Sequence, residues 1–250
     1  LCQRDIAGHA TQRQAEPVER RCGQAFAILQ KDLRVEWRRR ERLTPMLFFT
    51  LLVLLVFNFS FELRESSLGQ IGPGVLWSAF VFASLLGLNR TFAIERTNDS
   101  VDALRLVPVS AGALYLAKMV GNFMFLVVVE SIGLPIFALF FNLRGGFYLL
   151  PLALILALGS LCLSAVGTLF AAISDQSRLR DLMLPLLFLP VIVPALISCV
   201  EASDLVLAQS HSQGGFEFVP QLMRHLQILG VYAVVFTTLS LMLFEYILED

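Results

Sequence analysis

Apolar and polar positions in this chain are segregated rather than interleaved. From Leu43 onward long uncharged runs follow one another, separated by short polar stretches. They show neither the two-residue alternation of a half-buried strand nor the one-sided stripe of a soluble helix. A helix crosses a hydrocarbon layer with about 20 apolar residues and must satisfy its backbone groups within the segment. Six runs meet that requirement: Leu43 to Phe61, Ile71 to Leu88, Met119 to Phe141, Phe147 to Ile173, Leu182 to Val200 and Leu226 to Phe244. The pattern therefore predicts an all-α, polytopic membrane domain over residues 43–250 with six transmembrane helices. Gly159 and Gly167 in the fourth run would allow close helix contact. Pro185, Pro190 and Pro194 in the fifth each remove a backbone donor and predict a kinked or partly broken helix.

Ahead of the first run lies a polar tail, residues 1–24, and then a different pattern over residues 25–42. Phe26, Leu29, Leu33 and Trp37 recur at spacings of three and four, opposite Lys31, Arg34 and Arg38 with Asp32. An apolar stripe beside a basic cluster predicts an amphipathic helix lying in the membrane interface against anionic headgroups, with an ordinary solvated charge run as the alternative. A secretory signal fits poorly, because so much polar chain precedes the first run, which is expected to stay in the mature protein.

Composition supports lipid as the main solvent. Apolar residues make up 56% of the chain and charged ones 16%, with a mean hydropathy of +0.72, a balance that one soluble core of this size cannot hide. The net charge of −1 gives no reason to expect a nucleic-acid partner. Its distribution is more telling. Of 19 lysines and arginines, ten precede the first run, Arg90, Arg96, Arg105 and Lys118 lie between the second and third, and Arg178 and Arg180 between the fourth and fifth. Only Arg64, Arg144 and Arg224 fall on the other side, which also carries Glu62, Glu65, Glu201, Asp204 and Glu217. The positive-inside rule then places both termini in the cytoplasm.

Enzymatic chemistry finds no foothold. Gly112 to Met119 approaches a phosphate-binding loop but lacks its second glycine and its hydroxyl, so any ATP must be handled by another subunit. No HExxH, GxSxG or paired-carboxylate pattern occurs in a workable context. Cys2, Cys22, Cys162 and Cys199 form no CxxC pair, which leaves zinc and thiol-redox chemistry without ligands. His211 and His225, in or beside the outer loop, are candidate haem-iron ligands or ordinary solvated histidines. Glu130 lies near the centre of the third run, where a lone charge is costly. It either lines a pathway or couples to protonation, or it fixes helix packing as a hydrogen-bonded group.

Two connectors on the basic side stand out. The stretch from Leu88 to Lys118 is far longer than a tight turn, with Asn98, Asp99 and Ser100 able to cap a short helix that Pro108 ends. Ser174 to Asp181 forms a compact charged knob. At these residues the chain resembles the cytochrome c maturation protein B family (CcmB), the permease-like subunits of bacterial haem exporters. The resemblance runs from about Ala25 to Asp250 through KDLRVEWRRRE, PMLFF, IGPGVLWSAFVFASLLGLNRTF, DALRLVPVS, GTLFAAISDQSRLRDLMLPLLFLPVIVPALI and LFEYILED. The chain departs from the family at Ser100, commonly glycine there, and at Asp102, commonly glutamate; residues 1–24 have no counterpart in the family's short tails.

The resemblance implies an ABC-type (ABC-2-like) permease subunit that binds no cofactor firmly, handles haem, and works with a separate ATP-binding subunit. Other cytochrome c maturation membrane proteins and a periplasmic haem chaperone are further implied partners. On that basis Glu95, Arg96, Asp102, Arg105 and Pro108, with Arg178 and Arg180, form the expected docking surface for the ATPase. Two alternatives share the six crossings: an ABC-2 permease exporting lipid, polysaccharide or drug, and a membrane assembly scaffold that transports nothing.

Overall fold

A computed structural model describes residues 42–61, 68–91, 111–140, 149–175, 179–211 and 219–249. The residues proposed for an interfacial helix, 25–41, and most of the long connector, 92–110, lie outside them. The described residues form six helices: α1 (Leu43–Phe61), α2 (Leu68–Asn89), α3 (Ala111–Phe140), α4 (Leu149–Asp175), α5 (Arg180–His211) and α6 (Val219–Glu249). All six are long and apolar enough to cross a membrane. The protein is a polytopic helical membrane protein.

Contacts of Arg42 with Asn122, Tyr115 with Ala165 and Glu201 with His225 fix an alternating up-and-down arrangement. One end of the bundle, called the near end below, is where α1, α3 and α5 begin and α2, α4 and α6 finish. Helices α2 and α4 are central. Each touches four others, α2 meeting α1, α3, α4 and α5, and α4 meeting α2, α3, α5 and α6. In both, 72% of the apolar span is buried within the protein, against 22% in α1 and 17% in α6. The outer helices present Phe48, Leu52 and Phe59 on α1 and Val231, Val234 and Met242 on α6 outward, as a lipid solvent allows.

Glycine brings the two central helices together. A Cβ at Gly159 would lie 2.6 Å from Cζ3 of Trp77 and 2.9 Å from Sγ of Cys199, and one at Gly167 would lie 3.0 Å from Cδ2 of Leu88. Both glycines of α4 therefore receive a large side chain from α2, the close contact that their sequence positions lead one to expect.

Eight prolines sit within the helices, and their positions explain why the bundle tolerates them. Pro45, Pro151 and Pro220 occupy first turns, where the backbone N–H has no intrahelical partner to lose. Pro73, Pro135, Pro185, Pro190 and Pro194 are interior. Of the kink or partial break expected in the fifth helix, the break does not occur: α5 runs unbroken from Arg180 to His211. The missing N–H of Pro194 leaves the carbonyl of residue 190 without its helical donor. One residue on, the carbonyl of Val191 accepts a 2.6 Å hydrogen bond from the Tyr232 hydroxyl, which ties α6 to this proline-containing stretch.

The helices also outrun the apolar segments that reveal them. Helix α3 begins eight residues before Met119 and takes in Lys118, and α5 continues through Glu201 and Asp204 to His211. Backbone hydrogen bonding carries on into polar sequence, whereas apolarity marks only the part that faces lipid. Along the spans, several hydroxyls donate to their own helix: Thr50 to Met46 O, Ser78 to Gly74 O and Ser131 to Val127 O.

Candidate functional site

Three polar places are set at different depths in an otherwise apolar bundle. At the near end, four helices meet on one amide. Asn122 Oδ1 on α3 accepts from Arg42 Nη1 at 3.0 Å and from Thr91 Oγ1 at 3.0 Å, while its Nδ2 donates to Thr168 Oγ1 of α4 at 2.9 Å. Arg42 immediately precedes α1, and Thr91 lies two residues past the end of α2. All four side chains are buried, Arg42 with 6% of its surface exposed. Its guanidinium also lies 5.1 Å from the centre of the Phe125 ring, a cation–π distance. Beside this node a small cleft of about 10 Å³ lies between α1, α2 and α3, lined by Arg42, Met46, Ser84, Asn122 and Phe125 among others. The buried Ser84 hydroxyl that borders it has no hydrogen-bond partner among the described residues.

At mid-depth, Glu130 of α3 is 5% exposed and accepts a hydrogen bond from the Ser160 hydroxyl of α4. It is absent from the lining of the cleft. One residue before Ser160, Gly159 carries the Trp77 ring, whose Nε1 donates to Ser203 Oγ of α5 at 3.0 Å; Ser203 in turn donates to Cys199 O at 2.7 Å. These bonds tie α2, α3, α4 and α5 across the middle of the bundle.

At the far end, His225 Nδ1 of α6 lies 3.6 Å from Glu201 Oε2 of α5. The histidine side chain is 17% exposed and the carboxylate 58%, so solvent weakens this pair. His211 ends α5. Its side chain lies outside the described residues.

Of the residues proposed to meet an ATPase, Glu95, Arg96, Asp102, Arg105, Pro108 and Arg178 also lie outside the described residues, and only the backbone of Arg180 is placed, at the start of α5. Sequence reasoning missed Asn122 and Thr168, and it treated Arg42 only as one of many charges. A signal was available on α4: Ser160, Ser164 and Thr168 recur at spacing four, hence on one face, and all are 0% exposed. A small polar stripe in a membrane helix marks a protein-facing surface.

The family model described as CcmB protein matches residues 23–241. The chain belongs to the CcmB family. It is 33% identical over 171 residues to heme exporter protein B of Rhodobacter capsulatus, a stretch covering 68% of this chain and 78% of the relative. It is 32% identical over 176 residues to heme exporter protein B of Paracoccus denitrificans, covering 70% and 80%. Against heme exporter protein B of Escherichia coli K12 the identity is 32% over 99 residues, or 40% of this chain and 45% of that one. The CcmB match spans the node, the Glu130 pair and the His225 pair alike, so all three belong to the family region of the chain.

Proposed function

We propose that this chain is the membrane subunit of a bacterial haem exporter needed for cytochrome c maturation, and that a separate ATP-binding subunit drives it. Family membership over residues 23–241 carries the proposal. The six-helix bundle supports it, because a permease subunit needs a membrane body and no hydrolytic machinery of its own. Haem is then cargo or handled ligand rather than a resident cofactor. The positive-inside bias puts the near end, and with it both termini, in the cytoplasm. The connectors that follow α2 and α4 then face the compartment that holds ATP. There Glu95, Arg96, Asp102, Arg105 and Pro108, with Arg178 and Arg180, form the surface on which the ATPase docks. The far end, with His225 and Glu201, faces the periplasm and the haem chaperone.

Purification in mild detergent with mass spectrometry of what accompanies the chain tests the proposal. Recovery of an ATP-binding subunit together with cytochrome c maturation proteins is the expected result. Recovery of a glycan-, lipid- or drug-export system instead would overturn it. Charge reversal at Arg96, Arg105, Arg178 and Arg180 tests the docking surface separately: it should abolish ATPase co-purification and cytochrome maturation, and retention of both refutes that surface.

A further inference from the structure

Both stretches of chain that leave the first two helices at the near end stop at one side chain. Residues 25–41 lead directly into Arg42, and the connector of residues 92–110 begins directly after Thr91. Arg42 and Thr91 donate to the same oxygen, Oδ1 of Asn122, and that amide's nitrogen donates to Thr168 on α4. Side-chain hydrogen bonds inside a membrane domain do not trade freely with water, so a pull on either stretch is felt first at this amide.

The surroundings allow the amide to respond. Ser84 and Gly87 of α2 share one face, which lines the cleft toward α1 and α3, and Thr91 in the turn beyond the helix bonds Asn122 of α3. Gly87 admits Met46 of α1 so closely that an added Cβ would lie 2.8 Å from its sulfur. Between these contacts lies a small cleft of about 10 Å³, the size of one water, with the buried, unpartnered Ser84 hydroxyl on its wall. Ser84 and Asn122 line the same cleft, so the hydroxyl is a nearby partner for an amide that turns in place.

We propose that Asn122 is the transmission residue of this permease, joining the two cytoplasm-side segments to the transmembrane core through Arg42, Thr91 and Thr168. The assignment rests on the function proposed above. Asn122 acts as a positioning residue: it touches neither cargo nor nucleotide, and its work is to make α1, the end of α2 and α4 move together with those segments.

The test uses the complete complex, purified with its ATP-binding subunit and reconstituted in lipid. Asn122→Leu keeps the branching at Cγ and removes all three hydrogen bonds. Asn122→Asp keeps the oxygen that receives Arg42 and Thr91 and removes the donor to Thr168. Complex yield, melting temperature and ATP hydrolysis are measured beside cytochrome c maturation in cells. For N122L the expected result is normal yield and continued ATP hydrolysis with maturation reduced about ten-fold, within the usual span of coupling between distant sites. N122D should recover most of the maturation. If N122L matures cytochrome normally, or if maturation falls only in step with complex yield and melting temperature in both variants, the transmission role is wrong. Absence of any ATP-binding subunit from the unmutated preparation overturns the function proposal itself, and the transmission role with it.

Discussion

Replacing Gly159 with alanine adds one methyl group at the tightest contact between the two central helices. The new Cβ would fall 2.6 Å from Cζ3 of Trp77 and 2.9 Å from Sγ of Cys199. Neither neighbour yields easily. Trp77 is 2% exposed, its indole N–H is committed to Ser203, and its ring also meets Phe80 edge-on at 6.4 Å. Relieving the overlap requires the indole to swing or α2 to move away from α4. Overpacking of this kind costs about 1–3 kcal/mol, and losing the indole–Ser203 bond adds about 0.6–1.7 kcal/mol inside a membrane bundle. A total of about 2–4 kcal/mol is expected.

The contact also predicts its own rescue. The Trp77 atoms nearest the added Cβ are Cζ3 and Cη2, on the benzo edge of the indole, which phenylalanine lacks. Trp77→Phe alone should destabilise the protein, because it removes the Ser203 bond and leaves a void. Combined with Gly159→Ala it should cost less than the sum of the two, with a coupling of at least about 1 kcal/mol. Reversible unfolding by SDS titration of the single and double variants measures all three quantities. Additive effects, or a Gly159→Ala variant as stable as the unmutated chain, would refute the proposed seating of Trp77.

Four further outcomes follow from the same coordinates. Gly167→Ala meets only the flexible end of Leu88; it should cost about 1–2 kcal/mol and be relieved by Leu88→Ala in the same titration. Glu130→Gln keeps an acceptor for Ser160 and should leave both stability and cytochrome maturation near normal, while Glu130→Leu loses about 1 kcal/mol; loss of maturation in a stable Glu130→Gln protein would show that the carboxyl group itself is needed. Tyr232→Phe should lower stability by about 1 kcal/mol, because it removes the bond to the Val191 carbonyl. His225→Gln should shift stability by less than about 1 kcal/mol, since its partner Glu201 is largely exposed.

What the sequence disclosed, and what it withheld, follows from the range of each interaction. The helices were legible because each is announced locally, by a run too apolar for water and long enough for lipid. Gly159 and Gly167 announced that something would come close, but Trp77 and Leu88 lie 82 and 79 residues earlier, and no local pattern names them. The node at Asn122 was hidden for the same reason: its partners stand 80, 31 and 46 positions away. Glu130 stood out because a carboxylate in lipid is rare, yet its partner Ser160 is a residue that membrane helices carry freely. At α3, α5 and α6 the helices extend beyond the apolar runs, because backbone hydrogen bonding continues into polar sequence that carries no local mark of it.

The two glycine contacts bear on how such a permease would move. Gly159 and Gly167 are eight residues apart, about 12 Å along α4, so α2 and α4 are joined at two depths and resist both sliding and splaying. The long connector leaves from the end of α2 and the shorter one from the end of α4. On the proposed function, an ATPase bound to both connectors therefore grips the two ends of one stiff pair. Shifting the second to fifth crossings as separate elements would have to break those contacts. Moving α2 and α4 together, as a body against the sparsely buried α1 and α6, breaks neither. At the near end α1 is held in two ways, by the close Met46–Gly87 contact with α2 and by the hydrogen bond from Arg42 to Asn122, so movement of the α2–α4 pair reaches α1 and α3 through packing and polar bonding together.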